Sequence, residues 1–125
     1  VRAREGWFAP TAEADFTQVA IMSSPTEQRR WADRMDGANP LSPQMALGRD
    51  GSAEVDIRAI SFIAEGVAAV RFRRTVRKSG VVTADDGIAT IAFAYSRAPM
   101  AEADRLRNPL GFQVTSYRSD PEAIP

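Results

Sequence analysis

The spacing of apolar residues changes from a helical to a strand period halfway along the chain. In the first half, Phe16, Val19 and Ala20 recur at positions i, i+3 and i+4, which predicts one apolar face of a helix. In the second half, Val55 and Ile57 alternate with charged residues, a period of two that is typical of strands. Because helices and strands are segregated along the chain, the pattern favours an α+β fold.

Start and stop signals divide the first half into short helices. Residues Val1 to Phe8 resemble the end of a helix, and a second helix is predicted to start at Thr11. Ser24-Pro25-Thr26-Glu27 is a capping box with proline at the first helical position, and Gly37 suits the end of that helix. Ser42-Pro43 predicts one further helical turn, which ends at Gly48.

Four strands are predicted in the second half. The change of parity between Ile57 and Ile60 indicates a β-bulge in the first strand. Glu65-Gly66 predicts a tight turn, and Ser79-Gly80 and Asp85-Asp86-Gly87 are predicted to bracket a loop. Short connections favour a curved, four-stranded antiparallel meander with one face covered by the N-terminal helices. The predicted core residues of the sheet are Val70, Phe72, Ile91 and Phe93.

Composition removes several classes of chemistry. The chain has 125 residues, 44% of them hydrophobic, which suits one globular domain over residues 1–125. It has neither cysteine nor histidine, so thiolate catalysis, disulfides and the commonest metal ligands are excluded, and we expect no cofactor, no metal and no catalytic residue. The 16 basic and 16 acidic residues cancel, so no direct nucleic-acid binding is expected.

Three features could carry function but have simpler structural interpretations. A basic strand, Arg71 to Lys78, is predicted to be a solvated sheet face whose charges pair with Glu54 and Asp56. A partner-binding patch remains an alternative for that strand. Asp85-Asp86 is interpreted as turn chemistry rather than as an acid/base pair. Trp7 and Trp31 are predicted core residues of the helical layer, with interface anchors as the alternative.

The C-terminal third carries a more specific signal. Asn108, Pro109, Leu110 and Gly111 suit a type I turn, and they lie in the segment from Ala103 to Arg118. This segment resembles the closing region of the eighth VirB protein of type IV secretion systems, a family with an Asn-Pro-x-Gly motif. Asp120-Pro121-Glu122, the first five residues, and Asn39 to Pro43 are also similar to that family, in the same order.

The resemblance implies a fold, a location and a role. The family has a periplasmic domain of the nuclear-transport-factor-two-like fold, in an inner-membrane protein with one membrane helix; we expect that anchor to precede Val1. The implied role is assembly, by weak homodimerisation and by contacts with other secretion subunits, with Asn108, Pro109, Leu110 and Gly111 as the interaction motif. The alternative is a small-molecule binder or isomerase-like enzyme of the same cone-shaped fold. An enzyme would need a carboxylate in a deep cavity, and Tyr95 or Tyr117 are the candidate cavity residues.

Overall fold

The computed structural model describes residues 1–36, 38–39, 42–96 and 99–122. The predicted helix stop at Gly37 and the Pro40-Leu41 part of the family-like loop lie outside these residues. The helices are α1 (Arg2–Glu5), α2 (Ala12–Ile21), α3 (Pro25–Met35), α4 (Pro43–Ala46) and α5 (Glu102–Arg107), with a 3₁₀ turn at Ala9–Thr11. The strands are β1 (Trp7–Phe8), β2 (Ser52–Ala64), β3 (Val67–Lys78), β4 (Val81–Tyr95) and β5 (Phe112–Pro121). No helix among the described residues is long and apolar enough to cross a membrane.

The sheet is an antiparallel meander in the order β1-β2-β3-β4-β5. The predicted α+β class and the four long strands are confirmed, but the sheet has a fifth strand. The prediction of helix up to Phe8 is wrong, because α1 ends at Glu5 and Trp7–Phe8 pair with Ala53 and Ser52 instead. Two residues are too few for a period-of-two signal, so this strand depends on its tertiary neighbour.

The β3–β4 hairpin is longer than predicted. Its turn contains only Ser79 and Gly80, both with positive φ (52° and 78°), as a two-residue hairpin turn requires. The predicted loop ending at Asp85-Asp86-Gly87 is therefore wrong: these residues lie inside β4, opposite Arg74, Arg73 and Phe72 of β3. Cross-strand pairing outweighs the local turn preference of aspartate and glycine at this place.

The bulge predicted in β2 is confirmed by a shift of register between Ile57 and Ala59. Because of the bulge, Ile57 before the shift and Ile60 after it both point to the helix side of the sheet, opposite Phe72 and Val70. The core of the sheet is formed by Val55, Val70, Phe72 and Ala89, with Ile91 partly buried against it. Phe93, also predicted in the core, is only half-buried and lies in an aromatic cluster farther along the sheet.

The capping box starts α3 as predicted, since the Ser24 Oγ accepts from the Glu27 backbone N–H at 3.4 Å. Trp31, one turn further, is buried, stacks on Phe16 of α2 and donates its indole N–H to the Phe16 carbonyl oxygen at 3.2 Å. Trp7 is buried as well, and its indole N–H donates to the carbonyl oxygen of Gly48 at 2.7 Å. Both tryptophans are therefore core residues, as predicted, although Trp7 belongs to β1 rather than to a helix.

Candidate functional site: a rigid turn and a buried polar network

The Asn108–Gly111 segment is a hydrogen-bonded turn between α5 and β5. The Gly111 N–H donates to the carbonyl oxygen of Asn108 at 3.1 Å, which closes the turn. The Asn108 side chain is buried and bonds both backbone groups of Phe112: its Nδ2 donates to the carbonyl oxygen at 2.7 Å, and its Oδ1 accepts from the N–H at 2.9 Å. The motif asparagine thus fixes the first residue of β5 to the turn.

Gly111 joins the same turn to the end of β4. Its φ is +64°, and a Cβ added there would collide with the carbonyl oxygen of Ser96. The Ser96 N–H donates to the carbonyl oxygen of Gly111 at 2.7 Å, so the two backbones are in direct contact. Only glycine fits this close approach, which explains the fourth position of the motif.

The other two motif residues face solvent. Pro109 is exposed, and Leu110 is 72% exposed. Leu106, in the last turn of α5, is 80% exposed. The turn therefore presents Pro109 and Leu110 to solvent on a backbone that Asn108 and Gly111 hold in place. The sequence identified Leu110, but it missed Leu106, because a six-residue helix in a charged stretch has no apolar periodicity.

A second group of polar residues is buried between the helices and β5. Glu27 of α3 is fully buried; its Oε2 lies 3.6 Å from the Arg4 guanidinium of α1, and its Oε1 accepts from Arg30 at 2.9 Å. The Arg4 guanidinium also lies 3.9 Å from the ring centroid of Tyr117 and 5.6 Å from that of Trp31. This arrangement gives the buried cation two aromatic faces and one carboxylate.

Tyr117 and Glu5 extend this network to the sheet. The Tyr117 hydroxyl donates to Glu5 Oε1 at 2.9 Å. Burial, with the Glu5 carboxylate beside it, raises the pKa of Tyr117 far above its ordinary value, so the hydroxyl stays protonated. Burial also lowers the pKa of Arg4, an effect that its carboxylate neighbours oppose. The network could not be predicted from the sequence, since its residues are scattered over α1, α3 and β5.

A cavity of about 270 Å³ lies next to this network, between α1, α2 and the sheet. Its lining is mainly apolar and includes Arg4 and Tyr117 but no aspartate or glutamate. Tyr95, the other candidate cavity residue, is exposed in the aromatic cluster. The described residues contain no cluster of three or more potential metal ligands. The lining of this cavity, among the described residues, therefore lacks the carboxylate that an isomerase-like site would need.

Two residues of the basic strand, Arg71 and Arg73, form ion pairs; the predicted partner Asp56 lies directly opposite Arg73, but the bonded carboxylate is that of Asp86. Asp86 accepts from Arg73 at 2.9 Å and also lies 3.4 Å from Arg58 of β2. These hydrogen bonds and charges, Arg73 first, lower the pKa of Asp86 below its ordinary range. Arg71 pairs with Glu122 at 3.4 Å. Arg71 and Arg73 are therefore paired with residues of the chain after β5 and of β4, and the sequence analysis had placed one of these partners, Asp86, in a turn.

Comparison with known proteins gives a consistent result. A family model described as VirB8 protein matches residues 1–122. The type IV secretion system protein virB8 of Bartonella quintana is 42% identical over 125 residues, covering 99% of this chain and 53% of that protein. The chain thus spans about half the length of the curated relatives it matches.

Two solved structures of this class superpose closely. The VirB8 protein of Agrobacterium tumefaciens has a TM-score of 0.93 and 31% identity, with 100% of this chain and 87% of that chain covered. A TrwG component of the type IV secretion system from Bartonella birtlesii has a TM-score of 0.90 and 36% identity, with 99% and 86% covered. The chain therefore belongs to the VirB8 family of type IV secretion system proteins.

Proposed function

We propose that this domain is a periplasmic scaffold module of a bacterial type IV secretion system that acts by self-association and by contacts with other secretion subunits. The observation that carries the proposal is the rigid Asn108–Gly111 turn, which presents Leu110 and, beside it in sequence, Leu106 to solvent. Exposed apolar side chains on a preorganised backbone lose little conformational entropy on binding, as a contact surface requires. Relatives of this chain are named as secretion-system components, which supports an assembly role.

Membership of the family supports a proposal for the location of the domain. We expect the parent protein to be anchored in the inner membrane by a single helix outside this sequence, with residues 1–125 forming one domain on the periplasmic side. A membrane anchor would concentrate partners in two dimensions, so contacts between anchored domains need only be weak. Self-association should therefore be modest in solution and stronger in the native membrane.

Sedimentation equilibrium tests the contact surface. Leu110→Ser should lower the association constant while the circular dichroism spectrum stays that of the parent, because Leu110 is exposed and makes no core contact. Val81→Ser is the matched control, since Val81 is also exposed but lies at the tip of the β3–β4 hairpin. An unchanged association constant for folded Leu110→Ser would remove Leu110 from the interface between copies.

Crosslinking of the full-length protein in its native membrane tests contacts with other subunits. A photoreactive residue at position 110 should form adducts with secretion subunits, whereas one at position 81 should form fewer. Adducts at equal yield from both positions would mean that the turn is not a preferred contact surface.

A further inference from the structure

An open groove of about 570 Å³ lies between β1, α2 and α4, and its described lining includes no residue of the Asn108–Gly111 turn. Large apolar side chains come from four elements or their ends: Trp7, Phe16, Met35 and Met45. We call this surface the Trp7 groove. Its volume is in the range of sites that bind a small ligand or a few side chains of a partner.

The walls of the Trp7 groove are fixed by bonds that bridge separate elements. The Trp7 indole N–H donates to the carbonyl oxygen of Gly48 at 2.7 Å, which ties β1 to the turn after α4. Lys78 Nζ donates to the carbonyl oxygen of Ala46, which ties α4 to the end of β3. Phe16 of α2 stacks on the buried tryptophan of α3, at 5.9 Å between ring centroids. The groove is therefore preformed, so a ligand does not have to organise it on binding.

The apolar side chains in and beside this groove are incompletely covered. Met45 is 58% exposed, and Phe8, next to Trp7 in β1, is 54% exposed. Met35, the last residue of α3, is half-buried. Methionine side chains are flexible and polarizable, so they adapt to apolar ligands of different shapes. Exposed apolar side chains around a preformed concave surface indicate a binding site rather than a part of the core.

Two charges of opposite sign line the same groove. Glu13 lies in the first turn of α2, and Arg49 lies in the turn after α4. Both are exposed. Among the described residues, neither of them forms an ion pair, with the other or with a third residue. A complementary ligand therefore has an apolar part, a positive group for Glu13 and a negative group for Arg49.

The arrangement of these charges favours a polypeptide over a lipid. Glu13 and Arg49 belong to different elements and do not pair with each other, so the ligand has to carry its two charges at separate places. A lipid holds its charges together in one head group, whereas a polypeptide distributes charged and apolar side chains along its length.

We propose that the Trp7 groove binds a short segment of another secretion subunit. The segment has one or two large apolar side chains for the groove, a basic residue for Glu13 and an acidic residue for Arg49. The inference rests on the proposed function, and it assigns a contact with another subunit to a surface distinct from Leu110.

Crosslinking from inside the groove tests the occupant. A photoreactive residue at position 45 of the full-length protein, in its native membrane, should form adducts with a secretion subunit at several times the yield from position 81. Val81 is the matched control, because it is 61% exposed against 58% for Met45 and lies at the tip of the β3–β4 hairpin. Mass spectrometry should map the adducts to one segment with an apolar residue between opposite charges. Adducts with lipid only, with another copy of this chain only, with segments that lack this charge pattern, or at the yield of position 81 would overturn the proposal.

Charge reversal tests the two ends of the segment. Glu13→Arg and Arg49→Glu should each lower the adduct yield at position 45 by about three- to tenfold, because each places like charges together. Arg77→Glu is the matched control, since Arg77 is also exposed and is not among the described residues that line the groove. Circular dichroism checks that each variant is folded. Reversal of the basic residue in the mapped segment should restore the yield with Glu13→Arg. Absence of this rescue, or an equal loss with Arg77→Glu, would overturn the proposal.

The outcomes separate this inference from the proposed function. If position 110 forms adducts with secretion subunits while position 45 does not exceed position 81, the Trp7 groove is refuted and the scaffold function stands. If only position 45 exceeds position 81, with adducts in a segment of the expected charge pattern, the groove is supported and the Leu110 surface is refuted as a contact with other subunits. If neither position exceeds position 81, both the groove and the proposed contacts with other subunits are refuted.

Discussion

Gly87→Ala should destabilise the domain, although glycine is normally the weaker residue in a strand. Gly87 lies in β4 directly opposite Phe72 of β3. A Cβ at Gly87 would come within 2.7 Å of Phe72 Cζ and within 3.1–3.2 Å of the two Cε atoms. The Phe72 ring is 3% exposed and packs against Val55 and Val70, so it must shift within the core to admit the new methyl group. The glycine therefore makes room for the central ring of the core.

The magnitude follows from two opposing effects. Overpacking of a well-packed core costs about 1–3 kcal/mol. Replacing glycine by alanine in a compatible backbone recovers about 0.4–1 kcal/mol through the unfolded chain. The net loss should be about 1–2 kcal/mol, which lowers the urea midpoint by roughly 0.5–1.5 M if the slope is about 1.5 kcal/mol per M.

A double-mutant cycle in urea isolates the contact. In the Phe72→Leu background the ring atoms that meet the new Cβ are gone, so adding Gly87→Ala should leave stability unchanged within about 0.5 kcal/mol or raise it slightly. The same loss in both backgrounds would refute the steric argument. It would mean that the alanine is disfavoured by the backbone conformation at position 87, as the turn predicted from Asp85-Asp86-Gly87 would require.

Three further predictions test other parts of the structure. Ser24→Ala should lower the free energy of unfolding by about 1 kcal/mol, because α3 loses its side-chain cap. Thr26→Ala, in the same turn, is the control and should have little effect. Equal urea midpoints for the parent and Ser24→Ala would contradict the cap. Phe72→Ala should cost about 3–5 kcal/mol, and an unchanged melting temperature would show that the strand register is wrong. Asp86→Asn should lower stability at neutral pH and not at acid pH. The Arg73 partner lowers the pKa of Asp86 in the folded state, so the ion pair stabilises the fold above the unfolded pKa of about 4. This stabilisation is lost as the pH falls through the folded pKa. Parallel profiles of stability against pH for the parent and the variant would exclude a stabilising ion pair.

Local sequence signals were sufficient where the chain itself decides the structure. The capping box needs only Ser24 and Glu27, three residues apart, and it starts α3 at the predicted residue. The parity change after Ile57 is a property of the strand alone, and it predicted the bulge. The Asn108–Gly111 turn was also recognisable, because proline and glycine have strong positional preferences in turns.

Tertiary structure decided the features that join distant parts of the chain. β1 exists because Trp7 and Phe8 find a partner in β2, and two residues carry no periodic signal. Asp86 and Gly87 belong to a strand because Arg73 pairs with one and the ring of Phe72 covers the other, whereas their local preferences favour a turn.

The same division holds for the candidate surfaces. The sequence by itself determined the Asn-Pro-Leu-Gly motif, the alternation of the strands and the absence of cysteine and histidine. Only the fold buried Glu27 beside Arg4, left Leu106 exposed and, among the described residues, left most of the outer edge of β2 without a paired strand. Burial and strand pairing depend on which elements meet, and that is set by packing over long sequence separations rather than by the residues of any one segment.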